Sequence, residues 1–153
     1  MGSVRGMLAV FAAVLMLGML FAAAPSAMAD EYRCRGSVGA RTLDNVVVPS
    51  GATCSLSGTT VKGNINVQLD SGRAFTIQAS KIGGSIQTVA NNGSSKIARN
   101  YVGADVQVFS HRNGIAIGSN SVDGNLQCKE NVPAPTGSGN VVQGNKEDQC
   151  RRL

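Results

Sequence analysis

Aliphatic and polar residues alternate along most of this chain, and the alternation itself repeats. Written in rows of about twenty residues, four segments fall into register: Val61-Lys62-Gly63-Asn64-Ile65-Asn66-Val67, Ile82-Gly83-Gly84-Ser85-Ile86-Gln87-Thr88, Val102-Gly103-Ala104-Asp105-Val106-Gln107-Val108 and Val122-Asp123-Gly124-Asn125-Leu126-Gln127-Cys128. A fifth row opens at Val142-Gln143-Gly144-Asn145. Within a row, Ile65 and Val67 alternate with Asn66 and Gln68, the period-two signature of a strand with one dry and one wet face. A second column, Gly51, Gly72, Gly93 and Gly114, recurs in turn-like settings such as Asn92-Gly93. After three of these turns come shorter apolar runs, Phe75 with Ile77, Ile97 alone, and Ile115 with Ile117. Each row therefore reads as strand, turn, strand, turn.

A row of this length cannot bury its dry face alone. Stacking equal rows about 4.8 Å apart buries a shared core and pairs the backbone from row to row. The expected fold is all-β, a single-stranded parallel β-helix of about five to six coils of 20–21 residues. An ordinary β-sandwich has no reason to hold turn residues at constant period. The six-residue apolar pattern of left-handed β-helices is missing, which favours the right-handed form. The domain spans 30–153, with the repeat array over 42–145 and a polar cap over 141–153.

Stacking gives each column a meaning. Val61, Ile82, Val102, Val122 and Val142 should form one internal file, Ile65, Ile86, Val106 and Leu126 a second, and Val67, Thr88, Val108 and Cys128 a third. Asn64, Ser85, Asp105, Asn125 and Asn145 fall where the chain bends; they are expected to bond from coil to coil and to suit a positive φ. Asn66, Gln87, Gln107 and Gln127 form an outward row, either a solvated amide ladder or a flat face that docks a repetitive polymer or a protein. Val89 and Phe109 would lie beside it, unless Phe109 folds inward at the turn.

The four cysteines test this model. Cys34 and Cys54, and likewise Cys128 and Cys150, are about one coil apart, close enough for a disulfide, whereas Cys54 and Cys128 are several coils apart. The expected bridges, Cys34 with Cys54 and Cys128 with Cys150, would staple the two end coils. The stretch from Asn131 to Asn140 holds Pro133, Pro135, Gly137 and Gly139, so a loop replaces the return strand there. Lys146-Glu147-Asp148 then puts charge where earlier rows are aliphatic, ending the core and discouraging end-to-end growth.

Composition adds the compartment. Arg5, the apolar run Met7 to Ala24 and Ala27-Met28-Ala29 read as a signal peptide over 1–29, so the chain is expected to be secreted, with no membrane span after cleavage. That run is nearly long enough to span a bilayer, which makes an uncleaved anchor the alternative. Arg5 is the only charged residue lost, so the rest keeps all but one of 14 Lys and Arg against 9 Asp and Glu. The mild cationic excess could favour an anionic polymer, but the cations are scattered in the sequence and read as solubilising charge. Aromatic residues are 4% of the chain, too few for base stacking, so nucleic acid is not an expected partner. The expected state is a monomer, without cofactor or metal.

No paired carboxylates emerge on the predicted coils. Asp105 is flanked in its column by Ser85 and Asn125, Asp123 by Gly103 and Gln143, and Asp70 falls in a turn. His111, beside Arg112, also falls in a turn and reads as solvated rather than catalytic. The rows, closed by Asn125-Leu126-Gln127-Cys128-Lys129-Glu130-Asn131 and Pro133-Ala134-Pro135, resemble small secreted bacterial β-helix proteins without assigned activity, and more distantly the bactofilins, β-helical polymer-forming scaffolds. Neither resemblance implies a catalytic residue. The expected role is a secreted, non-enzymatic structural or binding module of the envelope or extracellular space, with speculative docking residues Gln87, Gln107, Gln127 and Phe109 and with a polysaccharide or protein partner. A polysaccharide lyase or hydrolase is the alternative.

Overall fold

The computed structural model describes residues 30–67 and 73–153. The expected signal peptide and Gly72 lie outside the described residues. The described chain is all-β, a parallel solenoid of about five turns. It has three sheets rather than the two strands per row expected from the sequence. Sheet A stacks Glu31–Arg33, Asn45–Val48, Ile65–Val67, Ile86–Val89, Val106–Phe109, Leu126–Lys129 and Lys146–Asp148. Sheet B stacks Gly36–Val38, Cys54–Ser57, Phe75–Gln78, Ser95–Ala98 and Ile115–Gly118. Sheet C consists of two-residue strands, Thr42–Leu43, Thr60–Val61, Lys81–Ile82, Tyr101–Val102, Ser121–Val122 and Val141–Val142.

The three aliphatic files are present. Ile65, Ile86, Val106 and Leu126 pair in one register, and Val67, Thr88, Val108 and Cys128 in the next position of the same strands. Val61, Ile82, Val102, Val122 and Val142 form the sheet C file. Sheet B adds the file Val38, Leu56, Ile77, Ile97 and Ile117. Nearly all of these side chains are fully buried. Removing an aliphatic side chain from water is worth about 1.5–3 kcal/mol, so each coil gains stability chiefly from its neighbours.

Coil length grows over the first coils and then settles. Glu31 pairs with Asn45, Gly36 with Cys54, Val46 with Ile65 and Ile65 with Ile86, before Ile86 to Val106 sets the step that persists to the end. Paired strands therefore extend from Glu31 to Asp148, beyond the array at 42–145 read from the constant period. The glycine column 51, 72, 93, 114 is out of register with this step. Ser95 pairs with Ile115, so Gly93 stands opposite Asn113. Gly93 and Gly114 also serve different ends: Gly114 has φ +79, whereas a Cβ on Gly93 would meet the Arg73 carbonyl carbon at 2.2 Å.

The glycines that begin each sheet A approach allow close stacking. A Cβ on Gly83 would lie 2.1 Å from the Lys62 carbonyl oxygen, so only glycine lets these coils approach. Positive φ, expected at Asn64 and its column, occurs at two other corners. Leaving sheet B it falls on Gly58, Ala79, Arg99, Ser119 and Gly139, and leaving sheet A on Ala90, Ser110 and Glu130. Each of these residues is followed by a buried polar side chain: Thr59, Ser80, Asn100, Asn120 and Asn140 at the first corner, Asn91, His111 and Asn131 at the second. A non-glycine residue in this conformation costs about 1–2 kcal/mol, and the hydrogen bonds of the inward side chain that follows offset it.

The disulfides Cys34–Cys54 and Cys128–Cys150 join Cα atoms 5.6 and 5.1 Å apart, one at each end of the stack. At the last coil, Lys146, Glu147 and Asp148 pair with Leu126, Gln127 and Cys128. Leu153 and Cys150 fold back to cover the core there, with the Lys146 ammonium bonded to the Leu153 carbonyl. In sheet B the Pro- and Gly-rich loop takes the place of a strand, touching Ile115–Gly118 through a single bridge between Ala116 and Thr136.

Candidate functional site

Sheet A presents a continuous outward amide row. Gln87 Nε2 donates to Gln107 Oε1 at 2.9 Å, Gln107 Nε2 to Gln127 Oε1 at 3.0 Å, and Gln127 Nε2 to Glu147 Oε2 at 3.1 Å. The alternation that buries Ile86, Val106 and Leu126 forces these amides outward, and the step of twenty puts them in line. Each internal glutamine uses one N–H and one lone pair along the row, so one of each stays available to a ligand. Val89, Phe109 and Lys129 form the adjacent column. Phe109 is half-buried and borders a surface hollow of about 350 Å³ with Lys129 and Glu130; the ring belongs to the outer face and does not fold inward. The fold thus brings Gln87, Gln107, Gln127 and Phe109 together on one surface.

The column at the corner between sheets C and A is structural. The backbone N–H of Asn64 donates to Asn45 Oδ1, that of Ser85 to Asn64 Oδ1, that of Asp105 to Ser85 Oγ, that of Asn125 to Asp105 Oδ1 and that of Asn145 to Asn125 Oδ1, at 2.7–3.2 Å. Asp105 is thereby occupied by Asn125, whose side chain also donates to it at 3.2 Å. Asp123 accepts from the Tyr101 hydroxyl and, at 2.9 Å, from Gln143 Nε2. The hydrogen bond to Asp123 raises the Tyr101 phenol above its ordinary range. Among the described residues no three His, Cys, Asp or Glu side chains are grouped to hold a metal ion.

His111 departs from the sequence reading. It is fully buried, not solvated. Its Nε2 and Thr88 Oγ1 are hydrogen-bonded at 2.6 Å, which satisfies the one hydroxyl in the aliphatic file, and its ring meets Phe75 edge-on at 5.8 Å. Nδ1 has no hydrogen-bond partner, and burial pushes the imidazole pKa down to about 4. The imidazole and the Thr88 hydroxyl are both buried in the core, where they satisfy each other.

Two features had no counterpart in the sequence reading. One is the buried asparagine file: Ser80, Asn100 and Asn120 donate their backbone N–H to Asn100, Asn120 and Asn140 Oδ1 in turn, while the asparagine Nδ2 groups donate to the Ile77, Ile97 and Ile117 carbonyls. Its signal was available, since Asn100, Asn120 and Asn140 recur every twenty residues. The other is a cavity of about 510 Å³ on the first coils, where Arg41 lies over the Tyr32 ring at 5.2 Å and Lys62 pairs with Asp44 at 2.9 Å. The Lys62 hydrogen bond holds the Asp44 carboxyl below its usual range. Charges of both signs neutralise one another in this hollow.

No protein-family model, curated protein or solved structure matches the chain, so these comparisons lend no support to the resemblance to secreted bacterial β-helix proteins or bactofilins. The two disulfides are compatible with an extracellular location. No helix among the described residues is long and apolar enough to cross a membrane.

Proposed function

We propose that this chain is an exported, non-enzymatic structural or binding module of the cell envelope or extracellular space, which docks a polysaccharide or a partner protein on the outer face of sheet A. The observation that carries this reading is the amide row Gln87–Gln107–Gln127 beside Phe109 and Val89. A row already held in place by its own hydrogen bonds loses little side-chain entropy when it binds, and its spare donors and acceptors repeat at the coil spacing of about 4.8 Å, which suits a repetitive partner. The bridged end coils fit an oxidising compartment.

A glycan and cell-wall retention screen tests the reading. Gln107→Ala and Phe109→Ala should each weaken retention several-fold while the midpoint of chemical unfolding shifts by less than the equivalent of about 1 kcal/mol, since both side chains lie at the surface. Turnover of a glycan that disappears with Asp105→Asn would show an enzyme instead. A folded protein that retains nothing leaves only the structural part of the proposal standing.

A further inference from the structure

Cations that are far apart in the chain converge on sheet B. The segments 35–41, 53–59, 73–80, 93–100, 112–120 and 134–140, which carry this sheet and its corners, contain Arg35, Arg41, Arg73, Lys96, Arg99 and Arg112 and no Asp or Glu. The described carboxylates stand on sheet A, just before its first strand (Asp30), at the corner between sheets C and A, or, for Glu130, at the end of a sheet A strand. Asp70, the acid closest in sequence to Arg73, lies outside the described residues. Cations scattered along the sequence are therefore gathered on one side of the fold.

All six cations are exposed. The ion pairs among the described residues are Arg33–Glu31 and Lys62–Asp44, both away from this face. Arg41 turns the corner to lie over Tyr32, and the others have no carboxylate partner among the described residues. Lys96 and Arg99 flank a groove of about 290 Å³ floored by Ala116, Gly118 and Gly137. Arg73, Lys96 with Arg99, and Arg112 come from three successive coils, Arg73 and Arg112 just before their sheet B strands, Lys96 within its strand and Arg99 just after it. Unpaired like charges on a rigid surface raise the local concentration of an anionic chain.

The rest of the face narrows the choice of anion. Ser55, Thr76 and Lys96 form one outward column, and Ser57 and Gln78 stand in the next. Hydroxyls in line with Lys96, and an amide in the next column, suit a hydroxyl-rich polymer. The aromatic side chains of the described residues are elsewhere: Phe75 in the core, Tyr32 and Phe109 on sheet A, and Tyr101 on sheet C. Among the described residues the outer face of sheet B has no aromatic ring to stack on a base.

We propose that the outer face of sheet B is a docking surface for a linear carboxylated polysaccharide, seated in the groove beside Lys96 and Arg99. The proposal rests on the binding-module reading but places the contact on a different face from the amide row.

The test uses the purified, disulfide-bonded protein on immobilised polygalacturonate, neutral dextran and duplex DNA. Polygalacturonate should retain it better than either, with retention falling as salt rises. Lys96→Glu with Arg99→Glu should cut retention by about tenfold or more, while Lys81→Glu with Arg152→Glu, an equal charge change elsewhere, should cut it less than about threefold. Equal losses from the two pairs, stronger retention on DNA, or no retention on polygalacturonate overturns the proposal. Loss with Gln107→Ala or Phe109→Ala, and none with the sheet B pair, moves docking to sheet A; that overturns this inference and keeps the binding-module reading.

Discussion

Asn120→Leu should lower the stability of the folded protein by about 4 kcal/mol, although it exchanges side chains of nearly equal size in a buried position. Asn120 Oδ1 accepts the backbone N–H of Asn100 at 3.0 Å, and its Nδ2 donates to the Ile97 carbonyl at 2.9 Å. Asn120 is 2% exposed, so no water replaces these partners. Two backbone groups stranded in the core at about 1–3 kcal/mol each set the size of the loss. The Asn100 and Asn140 amides also lose a partner each. Urea unfolding with both disulfides intact measures it as a shift in midpoint. Gln127→Leu, which breaks the surface row, should cost under about 1 kcal/mol. Equal losses from the two variants would mean that the inner file is no more important to the fold than the outer one.

Stability should also fall with acidity through His111. The imidazole pKa is about 4 in the folded state, depressed by burial from an ordinary 6.5. Between these values the unfolded chain takes up a proton that the native state refuses. The contribution is therefore complete above about pH 6.5 and declines as the pH drops towards 4, by about 1.4 kcal/mol per pH unit inside the window. His111 is the only histidine in the chain. It also occupies an asparagine-like place between Asn91 and Asn131, where Asn131 Nδ2 reaches the Val108 carbonyl and Asn131 Oδ1 accepts the His111 N–H. His111→Asn should accordingly fold and lose this slope. The two proteins differ at no other ionisable group, so the difference between the two pH profiles isolates the imidazole. Parallel profiles would show that burial does not hold the native imidazole neutral.

The parts of this fold that were legible in the sequence are those where chemistry repeats at constant period. Ile65, Ile86, Val106 and Leu126 are all aliphatic because all face the same dry interior, and the same spacing identified both disulfides. Sheet B was harder to read because its leading column runs Cys54, Phe75, Ser95 and Ile115, four residue types doing one job, with Asn91 Nδ2 bonded to the Ser95 hydroxyl at 2.7 Å. The strands before residue 42 fell outside the array read from the sequence because their step is shorter than twenty. The glycine column at 21 misled because a turn glycine and a close-approach glycine look alike in a sequence.

The candidate surfaces divide the same way. The glutamine row was visible as a row, and Phe109 was placed beside it from its position in the strand. The cationic face was hidden because Arg35, Arg73, Lys96, Arg99 and Arg112 share no spacing; only the three-sided winding of the chain brings them to one side. His111 was misread because a histidine after a strand end usually meets solvent, whereas here the left-handed residue Ser110 turns the next side chain inward.

The two ends of the stack are closed by different means, a bridge on the first coils and a bridge with a folded-back tail on the last. Between them, the identical steps from Ile86 to Val106 to Leu126 make the central rungs interchangeable units. A chain of this design gains or loses length at its waist, one whole turn at a time, and its faces widen or narrow in the same increments.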